Sequence, residues 1–216
     1  PARIIDVHTH VWKEVYTRHD ASEFARVVSW PARVAKDNTV DDLVEGYRLL
    51  FPGKEVTPLI FSSIHEGDDM NAANAYVSES AAAHHFPALI YAHPTWQAKD
   101  MEKWIRKGRF IGAKVYLNLA PAYIPQKEIR IFDFLPPHQL DVLHRNKCVV
   151  MLHIPRDGRL GDPVNLAQML EIERNWPGVR LIIAHLGRAY CDEDMGNAFE
   201  TLKATRNMVF DFSANT

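Results

Sequence analysis

Seven short runs rich in apolar and β-branched residues are spread along this 216-residue chain. Near-continuous apolar runs of this length are typical of parallel strands that are buried on both faces. The runs predict strands over residues 3–8, 57–63, 88–93, 111–117, 148–153, 180–185 and 208–213. These strands are the strongest constraint on the fold.

Helical patterns fill the intervals between the runs. Apolar residues spaced three or four apart, preceded by Asn38 and Thr39 and followed by Gly53, predict a helix over residues 40–51. Further helical segments are predicted over residues 71–85, 99–107, 137–146, 162–176 and 192–202. Strands that alternate with helices in this way predict an α/β fold with right-handed crossovers, and because no repeat or linker divides the chain, we expect a single domain over residues 1–216.

Polar side chains stand at or just beyond the carboxyl ends of the predicted strands. In a parallel barrel these ends converge on one mouth, so side chains that are distant in sequence meet there. The set comprises His8, His10, Ser63, His65, His93, Lys114, His153, His185, Asp211 and Ser213.

The first pair in this set, His8 and His10, has the spacing of a metal site. Side chains alternate faces along a strand, so both imidazoles project from the same side and offer two neighbouring nitrogen donors. Ordinary polarity at a strand end is the alternative interpretation of this pair alone. The pair together with His153 and His185 favours a site for a divalent metal ion, zinc in the first place, with manganese, iron or nickel as alternatives.

Lys114 is the unusual member, because an ammonium group repels a cation. It fits the site if it points elsewhere, if it pairs with a substrate or an acid, or if it is carbamylated to an oxygen ligand. The residues alone leave these alternatives open.

The ordered set of motifs resembles the amidohydrolase superfamily, in particular the amidohydrolase-related branch called amidohydrolase family 2. The resemblance rests on Asp6-x-His8-x-His10 in the first strand, Gly112-x-Lys114 in the fourth, His153 after the fifth and His185 after the sixth. It implies a TIM-type (β/α)8 barrel that holds one or two divalent metal ions and hydrolyses a small molecule with a metal-activated water.

The resemblance also implies roles for these residues. His8, His10 and His153 would be metal ligands, and His185 would ligate a second ion or contact the substrate as a catalytic residue. Lys114, also assigned to catalysis, matches the carbamylated bridging ligand of members that hold two metals. Members of this superfamily carry an aspartate on an eighth strand, and the sequence predicts seven strands here, so we expect that strand and its aspartate beyond residue 216. A strand supplied by another subunit and an inactive barrel are the alternatives.

Two arginines are candidates for substrate binding. Arg156 and Arg188 each follow a strand-end histidine by three residues, where a guanidinium can hold a carboxylate or a phosphate. The predicted activity is hydrolysis of an amide, ester or lactone bond. The alternatives are a metal-dependent non-oxidative decarboxylase or hydratase of a small carboxylic acid, and a catalytically silent metal-binding barrel.

Composition narrows the expected partners and location. A net charge of −2 without a long basic run argues against nucleic acid or a membrane surface as a partner, and the sequence allows a homo-oligomer. Cys148 and Cys191 form neither a disulfide framework nor a thiolate metal motif. No apolar stretch approaches a membrane span and no signal segment is apparent, so we expect a cytoplasmic protein.

Overall fold

A computed structural model describes residues 2–17, 26, 34–63 and 65–214 of the chain. They form two compact units. The first comprises Pro1–Tyr91 and Trp104–Ile111, and the second comprises Ala92–Lys103 and Gly112–Thr216. That both belong to one folding domain stays a prediction.

The first unit contains strands β1 (Arg3–His10), β2 (Glu55–Phe61) and β3 (Leu89–Tyr91). β1 and β2 pair in parallel, from Arg3 opposite Glu55 to His10 opposite Phe61, with a shift of register between Asp6 and Thr9. Apolar side chains at the end of β2 and throughout β3 are buried and form the core of this unit.

Two helices of the first unit begin at side-chain caps. Helix α1 (Val40–Leu50) follows Thr39, whose side chain accepts from the Asp42 N–H while the Asp42 carboxylate accepts from the Thr39 N–H. This reciprocal arrangement satisfies two backbone donors of the first turn. Helix α2 (Met70–His84) is capped by Asp69 and ends at His85, which has left-handed backbone angles. A further helix, α3 (Ala98–Lys107), has residues in both units.

The second unit is built on a parallel sheet. Its strands are hydrogen-bonded in chain order: β4 (Gly112–Val115), β5 (Val149–Leu152), β6 (Arg180–Ile183) and β7 (Met208–Phe210). Most side chains of β4, β5 and β6 are buried, which explains why these runs are apolar almost without interruption.

Helices separate the strands of this sheet. They are α4 (Ile131–Phe134), α5 (Pro137–Arg145), α6 (Pro163–Asn175), α7 (Asp192–Met195) and α8 (Ala198–Leu202). Helix α6 begins as the sequence predicts, because the Asp162 side chain accepts from the N–H groups of Val164 and Asn165 and Pro163 occupies the first helical position.

The predicted elements are present with corrections at their ends. All seven predicted strands are found among the described residues, but β6 ends at Ile183, two residues before His185. The segment predicted as one helix over residues 192–202 is two short helices, interrupted at Gly196, which has a positive φ. No helix within the described ranges is long and apolar enough to cross a membrane.

Candidate functional site

Two histidines stand at the ends of adjacent strands in the second unit. His153 follows β5 directly and is buried, while His185 lies just beyond β6 and is partly buried. Their Nε2 atoms are 2.9 Å apart. Two imidazole N–H groups cannot face each other at this distance, so one nitrogen donates and the other presents a lone pair.

Lys114 reaches this pair from β4. Its side chain is fully buried, and its Nζ atom lies 3.1 Å from Nδ1 of His153. Burial lowers the pKa of Lys114 well below its usual range, and the nearby charge of Asp211 opposes part of that effect. With a lowered pKa the amine loses its proton more readily, and a neutral amine does not repel a cation.

Gly112 allows β4 to approach β5 closely. A Cβ at this position would overlap the backbone of Val149 on the neighbouring strand. The glycine of the Gly112-x-Lys114 motif therefore has a packing role, because it lets the backbone that carries Lys114 pair with β5.

His185 begins a turn with left-handed backbone angles. The φ values are 54° at His185, 50° at Leu186, 64° at Gly187 and 59° at Arg188. Left-handed helical angles cost about 1–2 kcal/mol for each non-glycine residue, or about 3–6 kcal/mol for the three here. Strain of this size persists where surrounding contacts enforce it, and such sites are enriched in functional residues.

The segment after β7 supplies contacts to this turn. Asp211 is buried, and its Oδ1 atom accepts from the His185 N–H at 3.2 Å and from the Ser213 N–H at 2.9 Å. The Ser213 hydroxyl also donates to Asp211 Oδ1. Nδ1 of His185 lies 2.8 Å from the Ser213 carbonyl oxygen and 3.0 Å from its Oγ.

The first unit contains the His-x-His pair. The rings of His8 and His10 lie on one side of β1 with centroids 5.5 Å apart, and both contact the ring of Phe61 edge-on. Nδ1 of His10 lies 3.2 Å from the Ser62 carbonyl oxygen. A carbonyl only accepts, so Nδ1 carries the proton and Nε2 presents its lone pair, as a metal ligand requires.

Asp6 of the same motif orders the strand. Its Oδ1 accepts from the His8 N–H at 3.1 Å and its Oδ2 from the Tyr47 hydroxyl at 2.9 Å. Asp6 therefore links the register shift in β1 to helix α1, and this supports the backbone at His8.

The two candidate arginines have different surroundings. Nε of Arg156 donates to both carboxylate oxygens of Asp162, at 3.1 and 3.2 Å, so it also supports the cap of helix α6. Arg188 lies in the left-handed turn, and its charge partly offsets the effect of burial, which raises the pKa of Tyr116. Substrate binding by both arginines stays a prediction.

Three contacts of the site were not assigned from the sequence. The Tyr116 ring packs edge-on against His153 with centroids 4.6 Å apart. The sequence places Asp211 and Ser213 at a strand end without indicating a role at His185. An Asp-x-Ser segment after an apolar strand is a recognisable side-chain turn, and that signal was present.

Comparison with known proteins gives the family and the fold. The family model described as Amidohydrolase (Amidohydro_2) matches residues 5–215. Among curated proteins, none matches the sequence.

Three solved structures with similar folds carry different descriptions. A probable 2-pyrone-4,6-dicarboxylic acid hydrolase from Acinetobacter baumannii has a TM-score of 0.65 at 13% identity, over 98% of this chain and 70% of that chain. A 4-oxalomesaconate hydratase from Rhodopseudomonas palustris has a TM-score of 0.54 at 15% identity, over 97% of this chain and 74% of that chain. A dihydroxybenzoic acid decarboxylase from a Polaromonas species, with bound manganese, has a TM-score of 0.55 at 17% identity, over 88% of this chain and 67% of that chain.

These likenesses and the family match confirm the predicted fold class, an α/β fold of the TIM-type (β/α)8 barrel family. The family match covers almost the whole sequence, in the order of motifs on which the resemblance was based. The chain belongs to the amidohydrolase family, in the branch called amidohydrolase family 2.

Proposed function

We propose that this protein is a metal-dependent enzyme that hydrolyses an amide, ester or lactone bond of a small molecule. The observation that carries the proposal is the pair of Nε2 atoms of His153 and His185, 2.9 Å apart at the ends of adjacent strands in a member of this family.

The donor chemistry fits a divalent metal. We assign His8, His10 and His153 as ligands, with His185 ligating a second ion or contacting the substrate. Imidazole nitrogens suit zinc, and also manganese, iron and nickel. A divalent ion bound there supplies a Lewis acid and lowers the pKa of water towards neutrality.

His185 is assigned the transfer of a proton at Nε2. Its Nδ1 atom faces oxygen acceptors of Ser213, so the lone pair is on Nε2. Nε2 can therefore accept a proton or a hydrogen bond from a reacting group beside His153.

Lys114 supports the same assignment from β4. The neutral amine favoured by burial can donate a hydrogen bond to Nδ1 of His153 or accept one from it, according to the tautomer of that imidazole, and can also be carbamylated. Arg156 and Arg188 are assigned to a carboxylate or phosphate of the substrate, for which guanidinium groups are well suited.

A metal-dependent decarboxylase or hydratase of a small carboxylic acid is the second candidate. It is supported by the descriptions of two of the similar structures, a hydratase and a decarboxylase. At such low identity those descriptions support the candidate without deciding the reaction.

The activity test uses the full-length protein with added Zn²⁺ or Mn²⁺. Lactones, esters, amides and aromatic and dicarboxylic acids are screened, with acid release distinguishing a hydrolase from the CO₂ release of a decarboxylase. The variant His185→Asn is expected to lose at least about a hundredfold in rate, the lower range for positioned acid–base groups.

The matched control is His85→Asn. His85 also has left-handed angles, with φ of 57°, but is exposed at the end of α2. Asparagine tolerates these angles, so the control should retain activity. A protein that binds metal but turns over none of these substrates would favour the catalytically silent barrel instead.

A further inference from the structure

The proton position on His185 follows from the atoms around its Nδ1. The Ser213 carbonyl oxygen lies 2.8 Å away and can accept a hydrogen bond but cannot donate one. The second neighbour is the Ser213 hydroxyl oxygen at 3.0 Å. If that hydroxyl pointed its own proton at His185, it would favour the opposite tautomer.

Asp211 decides the direction of that hydroxyl. The Ser213 O–H donates to Oδ1 of Asp211, so the lone pairs of Oγ are directed elsewhere, including towards His185. Both Ser213 oxygens then act as acceptors for one Nδ1–H. Asp211 itself lies 4.0 Å from Nδ1, too far for a direct hydrogen bond, so it acts through Ser213.

Asp211 also holds the backbone of the left-handed turn. Its carboxylate accepts from the His185 N–H, and its carbonyl oxygen accepts from the Leu186 N–H at 2.7 Å. Its own N–H donates to the Ile183 carbonyl at 3.1 Å, which fixes it to the end of β6. One residue therefore stabilises both the strained backbone and the side-chain partner of His185.

We infer that Asp211 is a positioning residue that holds His185 in the Nδ1–H tautomer and directs its Nε2 lone pair towards His153. The inference deepens the proposed function and rests on it for the use made of Nε2. A chain of hydrogen bonds then extends from His185, because His185 Nε2 accepts from His153 Nε2 and His153 Nδ1 faces Lys114. Asp211 is thereby connected to the amine of β4 through three side chains.

The test is ¹⁵N NMR of the imidazole groups in metal-free, full-length protein labelled at histidine. The two tautomers of a neutral imidazole give different nitrogen shifts. The His185 signals are identified by their loss in His185→Asn, among the 11 histidines of the sequence. We expect the wild-type protein to show His185 with the proton on Nδ1.

The variant Asp211→Ala is expected to lower the ratio of Nδ1–H to Nε2–H at His185 by about tenfold, the factor for losing one hydrogen bond of ordinary strength. Asp211→Asn keeps an oxygen acceptor at the same place and should retain the wild-type ratio. Ser213→Ala keeps the carbonyl acceptor and should lose part of the preference. This variant tests the inference even if Asp211→Ala fails to fold.

The matched control is Asp162→Ala, which removes an aspartate that accepts from backbone N–H groups two and three residues on, at helix α6. It removes the cap of helix α6 but no hydrogen-bond partner of Ser213, so it should leave the His185 tautomer unchanged. A wild-type His185 with its proton on Nε2 overturns the inference, and so does a wild-type ratio in Asp211→Ala. If Asp211→Ala does not fold, a wild-type ratio in Ser213→Ala overturns it. An Asp211→Asn ratio as low as that of Asp211→Ala does so too.

The result is independent of turnover. A metal-binding, active enzyme with an unchanged tautomer in Asp211→Ala would refute the positioning role and leave the proposed function intact. The expected tautomers in a protein that binds no metal and has no activity would retain the positioning role and refute the function.

Discussion

The side chain of Asn74 offers a stability prediction with a magnitude set by the structure. Asn74 is fully buried on helix α2, where its Nδ2 donates to the Tyr91 carbonyl at 3.0 Å and its Oδ1 accepts from the Tyr91 N–H at 2.8 Å. Tyr91 ends β3 and is also fully buried. One amide therefore satisfies both backbone polar groups of a strand end.

Asn74→Ala leaves a buried N–H and a buried C=O without these partners. Each unsatisfied group costs about 1–3 kcal/mol, so the two cost about 2–6 kcal/mol. The better helix propensity of alanine offsets about 0.5 kcal/mol of this cost. We expect the free energy of unfolding, measured by urea denaturation, to fall by at least about 1.5 kcal/mol.

The control is Asn71→Ala, the same substitution at an exposed position of the same helix. It should change stability by no more than about 0.5 kcal/mol, as surface substitutions usually do. An Asn74→Ala protein as stable as Asn71→Ala would refute the reasoning that the Asn74 amide stabilises the end of β3 by bonding the backbone of Tyr91.

Three further predictions concern packing, titration and capping. Gly112→Ala should destabilise the protein by at least about 1–3 kcal/mol because its Cβ overlaps the Val149 backbone, whereas Gly46→Ala, with open space around it, should stabilise helix α1 by about 1 kcal/mol in the same urea assay. Burial raises the pKa of the Cys148 thiol from 9.0 to about 11, so the unfolded chain ionises first and the free energy of unfolding should fall from pH 9.0 to about 11. Cys148→Ala, measured in parallel, should show a smaller fall. An equal fall would contradict the attribution of this pH dependence to the Cys148 thiol. Thr39→Ala should lower the unfolding free energy by about 1 kcal/mol and Thr39→Ser should restore it, since serine also caps helix α1.

The strands were predictable because burial on both faces leaves a simple trace in the sequence. The runs at β5 and β6 are apolar apart from Arg180 and end in histidine-containing segments, so one pattern predicts both the strands and the nearby site residues. The sequence predicts the end of β6 two residues too late, because Ala184 and His185 continue the run although the backbone turns after Ile183.

The left-handed turn was not predictable in the same way. Leu186 and Arg188 have no local preference for positive φ, and a single glycine between them is weak evidence. What stabilises the turn is Asp211, which lies 26 residues beyond His185 and reaches it across the sheet. Such a contact depends on strand order rather than on neighbouring residues.

The hydrogen-bond partner of Arg156 could not be predicted from the sequence for a related reason. Spacing after His153 placed the guanidinium near a strand end, which favoured a role in binding substrate. The same arginine lies six residues before Asp162, whose cap of α6 the sequence did predict. The sequence signalled both features, but only the folded loop shows that they share a hydrogen bond.

The metal content of the purified full-length protein tests the central claim most directly. Mass spectrometry after dialysis against Zn²⁺ or Mn²⁺ should find one or two ions per chain in the wild-type protein and in His85→Asn. His153→Asn should lose at least one of these ions. A folded wild-type protein without divalent metal, or a His153→Asn protein that binds as much as the wild type, would contradict the account.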